Sequence, residues 1–248
     1  MPRSRPKVYV IIPAAGSGTR LPGAVRKQFA LLAGKPLIVH TVQCFEQCPD
    51  VDEIILVVPE DTIADTEALV SRHRLHKVGR VVAGGAKRQD SVYNALKRLQ
   101  LQPSDIVLVH DGVRPFVEMK KIRQVIHACR EADAAVLAIQ PKDTVRHSAG
   151  GDYFDKTLDR SALWLIQTPQ GFRGALLQRA LEQARKDRFA ATDDAALVER
   201  LGVRIKIVSG SYDNIKITTP EDLELGGLIL ARQRQRGLEG GENPTSRD

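Results

Sequence analysis

Val8-Tyr9-Val10-Ile11-Ile12-Pro13-Ala14-Ala15-Gly16-Ser17-Gly18-Thr19-Arg20, with Lys27 seven residues further on, is the stretch on which the reading of this chain turns. Val8 to Ile12 is a short apolar, β-branched run closed by a proline, which predicts a buried strand. The residues after it carry almost no side-chain bulk. Small residues let backbone N–H groups approach a ligand closely, and successive N–H groups in such a turn favour an anion. Arg20 and Lys27 add two cations to the same loop. A strand feeding a thin, cationic, N–H-rich loop suits a polyphosphate, although glycines after a strand also make ordinary tight turns.

The loop belongs to neither of the two best-known glycine-rich classes. No Gly-Lys-Ser/Thr follows Gly18, so it is not a Walker A loop. Leu21 stands where a dinucleotide fingerprint requires its third glycine.

Outward from this loop the chain alternates strand and helix. Strands are predicted at Glu53 to Val58, Val78 to Ala83, Ile106 to His110, Ala134 to Ile139 and Arg204 to Val208. Helices are predicted from Pro36, over Thr62 to His73, over Asp90 to Leu99, and through Ile122, Val125, Ile126 and Cys129. Further helices cover Gly174 to Lys186 and Asp193 to Leu201, and a last one starts at Pro220 with Thr219 as cap. This rhythm predicts an α/β fold: one Rossmann-like domain over residues 1–236, a mostly parallel sheet flanked by helices, with ligands at the carboxyl ends of its strands. Residues 140–160 break the rhythm. They are too polar for core, and Gly150-Gly151 marks a hairpin turn, so the segment reads as an arm over a surface or a partner. Residues 237–248 read as a disordered tail.

Composition removes several classes of function. The chain has 248 residues, 42% of them hydrophobic, and no run approaches the roughly 18 apolar residues of a membrane span. The basic N-terminus leads straight into a strand without the longer apolar region of a signal peptide, so a cytoplasmic protein is expected. Net charge is +7, but aromatics are 4%, too few for base-stacking platforms, and nucleic acid is not expected as a partner. Cys44, Cys48 and Cys129 read as buried free thiols, and the six scattered histidines form no zinc pattern.

Two further segments carry chemistry. His110-Asp111-Gly112-Val113-Arg114-Pro115 follows a predicted strand. Asp111 suits Mg²⁺, which takes one or two carboxylates with waters and phosphates; the alternative is a turn cap ion-paired with Arg114. Lys216, between Ile215 and Ile217, points by alternation away from its apolar neighbours, either into a wet cleft or along a guarded sheet edge. No nucleophile–base pair is visible. Phosphoryl and nucleotidyl transfer need none, because alignment and charge neutralisation carry the reaction.

Seven motifs in order give the chain a family likeness. They are Pro13-Ala14-Ala15-Gly16-x-Gly18-x-Arg20 with Lys27-Gln28, Gly84-Gly85-x-x-Arg88-x-Asp90-Ser91, and His110-Asp111-x-x-Arg114-Pro115. Asp143-Thr144 follows, then Asp159-Arg160 through Trp164 to Thr168-Pro169-Gln170, Thr192-Asp193-Asp194, and Asp213-Asn214-Ile215-Lys216-x-Thr218-x-Pro220-Glu221-Asp222. With them the chain resembles the cytidylyltransferases that make 4-diphosphocytidyl-2-C-methylerythritol in the non-mevalonate isoprenoid pathway. The resemblance implies transfer of CMP from CTP to 2-C-methyl-D-erythritol 4-phosphate. It implies CTP contacts at Ala14, Ala15, Gly16, Gly85 and Ser91, and a divalent cation, Mg²⁺ or another, on Asp111. It gives Arg20, Lys27 and Lys216 the catalytic role of stabilising the transition state. Arg114, Thr144, Arg160, Thr192 and Thr218 would grip the acceptor. It also implies a homodimer whose 140–160 arms exchange, so that Thr144 and Arg160 serve the neighbour's site. A ribitol-5-phosphate cytidylyltransferase and an inactive nucleotide-binding module are the competing readings. The chain departs from the family pattern at Ala86, where relatives often carry an acidic residue, and at Arg26, where a proline is common.

Overall fold

The computed structural model describes residues 5–16 and 26–239. In chain order the elements are β1 (Val8–Pro13), the short pair β2 (Leu31–Leu32) and β3 (Lys35–Pro36), α1 (Leu37–Glu46), β4 (Glu53–Val58), α2 (Ile63–Arg72), β5 (Val78–Ala83), α3 (Arg88–Leu96) and β6 (Ile106–Val109). They continue with α4 (Met119–Ala132), β7 (Ala134–Ile139), β8 (Arg146–His147), β9 (Lys156–Thr157), β10 (Leu165–Arg173), α5 (Gly174–Lys186), α6 (Asp194–Glu199), β11 (Lys206–Ser209) and α7 (Pro220–Glu239).

One seven-stranded sheet, in the order β11-β7-β10-β6-β1-β4-β5, organises the domain. All its pairings are parallel except those of β10, which runs antiparallel to both β6 and β7. The expected α/β sheet flanked by helices is therefore present. Strand alternation explains its two cores. Val8, Val10 and Ile12 of β1 face α1 and α4, where Ile38, Phe45, Ile122 and Val125 close one core. Tyr9 and Ile11 face the other way, onto Val92 of α3 and Leu177 and Leu181 of α5. Burial on both faces is why β1 reads as a continuous apolar run.

Local differences from the sequence reading have local causes. The helix α3 starts at Arg88, two residues before the expected Asp90, because the Asp90 carboxylate reaches back to accept from the Lys87 N–H at 3.2 Å. The helix α7 runs to Glu239, three residues into the stretch expected as tail; positions from 240 onward lie outside the described residues. Residues 214–218 form no strand. Asn214 pins that segment instead, its Nδ2 donating to the Thr168 carbonyl at 2.8 Å, and the Ile217 N–H donates to the Val113 carbonyl at 2.9 Å. The alternation survives: Ile217 is fully buried and Lys216 is exposed. All three cysteines are free, Cys48 and Cys129 buried and Cys44 partly so.

Candidate active site

Three loops leave the carboxyl ends of β1, β5 and β6 side by side, and only small residues let them pack. A Cβ on Gly84 would stand 2.2 Å from Cβ of Ala15, and one on Gly112 would stand 2.8 Å from Cβ of Ala14. The loops are also tied into the sheet, since the Ala14 N–H donates to Val57 and the Gly84 N–H to Val58. Together they enclose a cavity of about 420 Å³ whose wall includes Ala14, Ala15, Gly16, Lys27, Gly85 and Ser91, with Asp111 and Lys216 also lining it. The N-terminus of α3 opens beside it, which suits an anion. Ser91 is 3% exposed and braces the loop: its hydroxyl accepts from the Gly85 N–H at 3.1 Å.

A second cavity of about 280 Å³ lies on the far side of Asp111, lined by Arg114, Thr168, Thr192 and Asp193 among others. Arg88, Asp111 and Lys216 line both cavities and form the partition between them. The Asp111 carboxylate is the hub. Its Oδ1 accepts from Arg88 Nε at 3.2 Å, and its Oδ2 lies 3.0 Å from Lys216 Nζ and 3.4 Å from Arg114 Nε. Burial alone would raise its pKa, but Arg88, Lys216 and Arg114 outweigh burial and hold the carboxyl ionised well below the usual carboxylate range. Of the two readings of Asp111, the structure contains the ion pair with Arg114, which also lines the second cavity.

The backbone around Asp111 is held by an imidazole. His110 is fully buried, and burial drives its pKa down to about 4. It is neutral, and its neighbours dictate the tautomer. The Arg114 carbonyl can only accept, so Nε2 carries the proton and donates at 2.9 Å. Nδ1 then accepts from the Thr168 hydroxyl at 3.0 Å, and that oxygen accepts from the Asp111 N–H at 3.1 Å. A single chain of hydrogen bonds thus sets the positions of Asp111 and Arg114.

The other expected site residues divide. Thr218 lines neither cavity; its hydroxyl donates to Asp222 at 2.9 Å in the cap of α7, where the Asp222 N–H in turn donates to Thr219 Oγ1 at 3.3 Å. Thr144 and Arg160 lie on the exposed arm, where Arg160 Nη1 donates to the Lys142 carbonyl at 2.6 Å, and neither lines either of these two cavities. Arg20 lies outside the described residues. Arg26 is anchored by a two-pronged ion pair with Asp61, both distances being 2.8 Å, and Ala86 lines the first cavity. Two participants escaped the sequence reading of roles. Arg88 was visible only as a motif member, and its partner Asp194 lies 106 residues away, at Nη1–Oδ2 2.6 Å. Gln28 lines the first cavity, is 1% exposed, and neither of its amide atoms has a hydrogen-bond partner among the described residues. No cluster of three or more His, Cys, Asp or Glu occurs among the described residues, so a polydentate metal cage is not built there.

A doubly wound sheet with paired cavities meeting at a carboxylate ringed by cations defines a phosphate-handling α/β domain. The family model for 2-C-methyl-D-erythritol 4-phosphate cytidylyltransferase matches residues 8–232. The enzyme of that name from Syntrophus aciditrophicus is 44% identical over 233 residues, covering 94% of this chain and 99% of the relative. That of Geobacter metallireducens is 46% identical over 226 residues, covering 90% of this chain and 97% of the relative. The crystal structure of the 4-diphosphocytidyl-2C-methyl-D-erythritol synthase of Anaerococcus prevotii superposes with a TM-score of 0.79 at 33% identity, covering 92% of this chain and 97% of the other. The chain belongs to the 2-C-methyl-D-erythritol 4-phosphate cytidylyltransferase family.

Proposed function

We propose that this chain transfers CMP from CTP to 2-C-methyl-D-erythritol 4-phosphate, giving 4-diphosphocytidyl-2-C-methyl-D-erythritol and pyrophosphate in the non-mevalonate isoprenoid pathway. The observation that carries the reading is the pair of cavities sharing Arg88, Asp111 and Lys216 as their partition. A nucleotide in the larger cavity and a phosphorylated acceptor in the smaller would meet there. An oxygen of the acceptor phosphate attacks the α-phosphorus, the bond to the bridging oxygen breaks, and pyrophosphate leaves. Such a displacement gains most from cations fixed where charge develops.

In this reading Ala14, Ala15, Gly16, Gly85 and Ser91 receive CTP, while Arg20, Lys27 and Lys216 stabilise the pentacoordinate phosphorus. Arg114 and Thr192 hold the acceptor, with Thr218 bracing the Lys216 segment through the α7 cap. Asp111 fits a magnesium ion, being a single ionised carboxylate at the cavity floor. The ion would complete its shell with waters and triphosphate oxygens and would supply charge neutralisation. Thr144 and Arg160 act in a partner's acceptor cavity within a homodimer that exchanges arms. The apolar side chains the arm and its base leave uncovered support this: Tyr153 is 86% exposed, Phe154 68% and Leu165 51%. The substrates are polar phosphates. Among the described residues no helix is long and apolar enough to cross a membrane. We place the activity in the cytoplasm, without nucleic acid or membrane as partner. A pyrophosphate-release assay with CTP tests the reading, comparing 2-C-methyl-D-erythritol 4-phosphate with ribitol 5-phosphate. Turnover with the first acceptor is expected, and turnover with ribitol 5-phosphate alone would overturn it.

A further inference from the structure

Arg88 holds a position that the reaction chemistry alone does not demand. It is the first residue of α3, directly after the loop that walls the nucleotide cavity, and its guanidinium reaches two carboxylates from different elements. Nε donates to Asp111 Oδ1 at 3.2 Å and Nη1 to Asp194 Oδ2 at 2.6 Å. Asp194 is 1% exposed, and its other oxygen has no partner among the described residues, so its buried charge is balanced through Arg88. Burial pushes the Asp194 pKa up against the pull of Arg88, whereas Asp111, with three cations around it, stays low.

Asp194 opens α6, two residues after Thr192 of the acceptor cavity. Gln170 on β10 locks that helix start. Its Oε1 accepts from the N–H groups of Asp194 and Ala195 at 3.1 and 3.0 Å, and its Nε2 donates to Asp193 at 2.8 Å. A rigid path therefore runs from the nucleotide loop through Arg88 to the head of α6, with a branch to Asp111 on the partition. From this geometry, and on the reading of function above, we infer that Arg88 is a positioning residue that couples the two substrate cavities: a nucleotide seated against the head of α3 sets Asp111 and, through Asp194, the acceptor-binding loop at Thr192.

A lysine keeps the charge of Arg88, but as a point charge it cannot hold two carboxylates in a planar fork. The test titrates 2-C-methyl-D-erythritol 4-phosphate into the full-length protein by calorimetry, with and without saturating α,β-methylene-CTP. In the parent, nucleotide should tighten acceptor binding about tenfold. In Arg88→Lys that gain should vanish, and kcat should fall about 10²-fold, a loss larger than any change in affinity for the nucleotide analogue alone. Asp194→Asn leaves Arg88 in place and should lose part of the gain, which keeps the test open if the lysine variant does not fold. A parent without coupling, or an Arg88→Lys protein that keeps the parent's coupling and kcat, would overturn the inference. Turnover of the parent with CTP and acceptor is scored separately, so a failure of the functional reading is told apart from a failure of the coupling.

Discussion

Replacing His110 with glutamine should flatten the acid limb of the protein's stability curve by a calculable amount. The imidazole is fully buried, and burial depresses its pKa from 6.5 to about 4 against the pull of the Arg114 carbonyl. Above pH 6.5 the ring is neutral folded and unfolded alike, so it adds no pH dependence. As pH falls through 6.5 the unfolded chain takes up the proton first and is stabilised relative to the native state. The loss of folding stability grows until the native ring also protonates near pH 4, where it reaches about 3 kcal/mol. Between pH 7 and pH 5 the same two values give a loss of about 2 kcal/mol. Glutamine cannot titrate, so this contribution disappears in His110→Gln. His40, whose pKa burial also lowers, contributes equally to parent and variant and cancels in the difference. At pH 7 the variant should itself be less stable by about 1–3 kcal/mol, because the glutamine oxygen and nitrogen both branch from Cδ and do not reproduce the Nδ1 and Nε2 positions that meet the Thr168 hydroxyl and the Arg114 carbonyl. Urea unfolding followed by circular dichroism at pH 5, 6 and 7 measures both effects. Parallel curves for parent and variant across that range would refute the buried, neutral imidazole and the hydrogen-bond chain drawn through it.

Two further predictions concern the cavities. Lys216→Ala should reduce kcat about 10²–10³-fold, as loss of a preorganised charge at the reacting phosphorus requires. Mixed with an Arg160→Ala protein it should regain activity in exchanged dimers, so a mixture no more active than its components would count against a shared site. Gln28→Met removes a buried amide whose two polar atoms have no partner among the described residues, and should raise the melting temperature of the substrate-free protein. Calorimetric CTP titration of the same variant should show weaker binding, and a lower melting temperature would show that the amide is already satisfied.

Most of the fold was legible because its signals are local. β1, β4 and β6 are short apolar runs buried on both faces, and proline, glycine and cap residues punctuate them. The placement of chemistry was legible too, since the residues after β1, β5 and β6 must emerge at one end of a parallel sheet. The antiparallel course of β10 was not, because Leu165–Arg173 mixes apolar with polar residues around Pro169, so no strand pattern marks it and nothing local sets its direction.

The alternation of elements, the small-residue loops and the identity of the charged side chains follow from neighbouring residues, whose spacing is written along the chain. Which of those charges meet depends on closure of the fold. Asp111 with Lys216, Arg88 with Asp194 and His110 with Thr168 are separated by 58 or more positions in the sequence. No local pattern encodes such distances. Burial then decides protonation, keeping His110 neutral and Asp111 charged within adjacent residues, because the solvent each loses and the partners each gains exist only after the sheet and helices have packed.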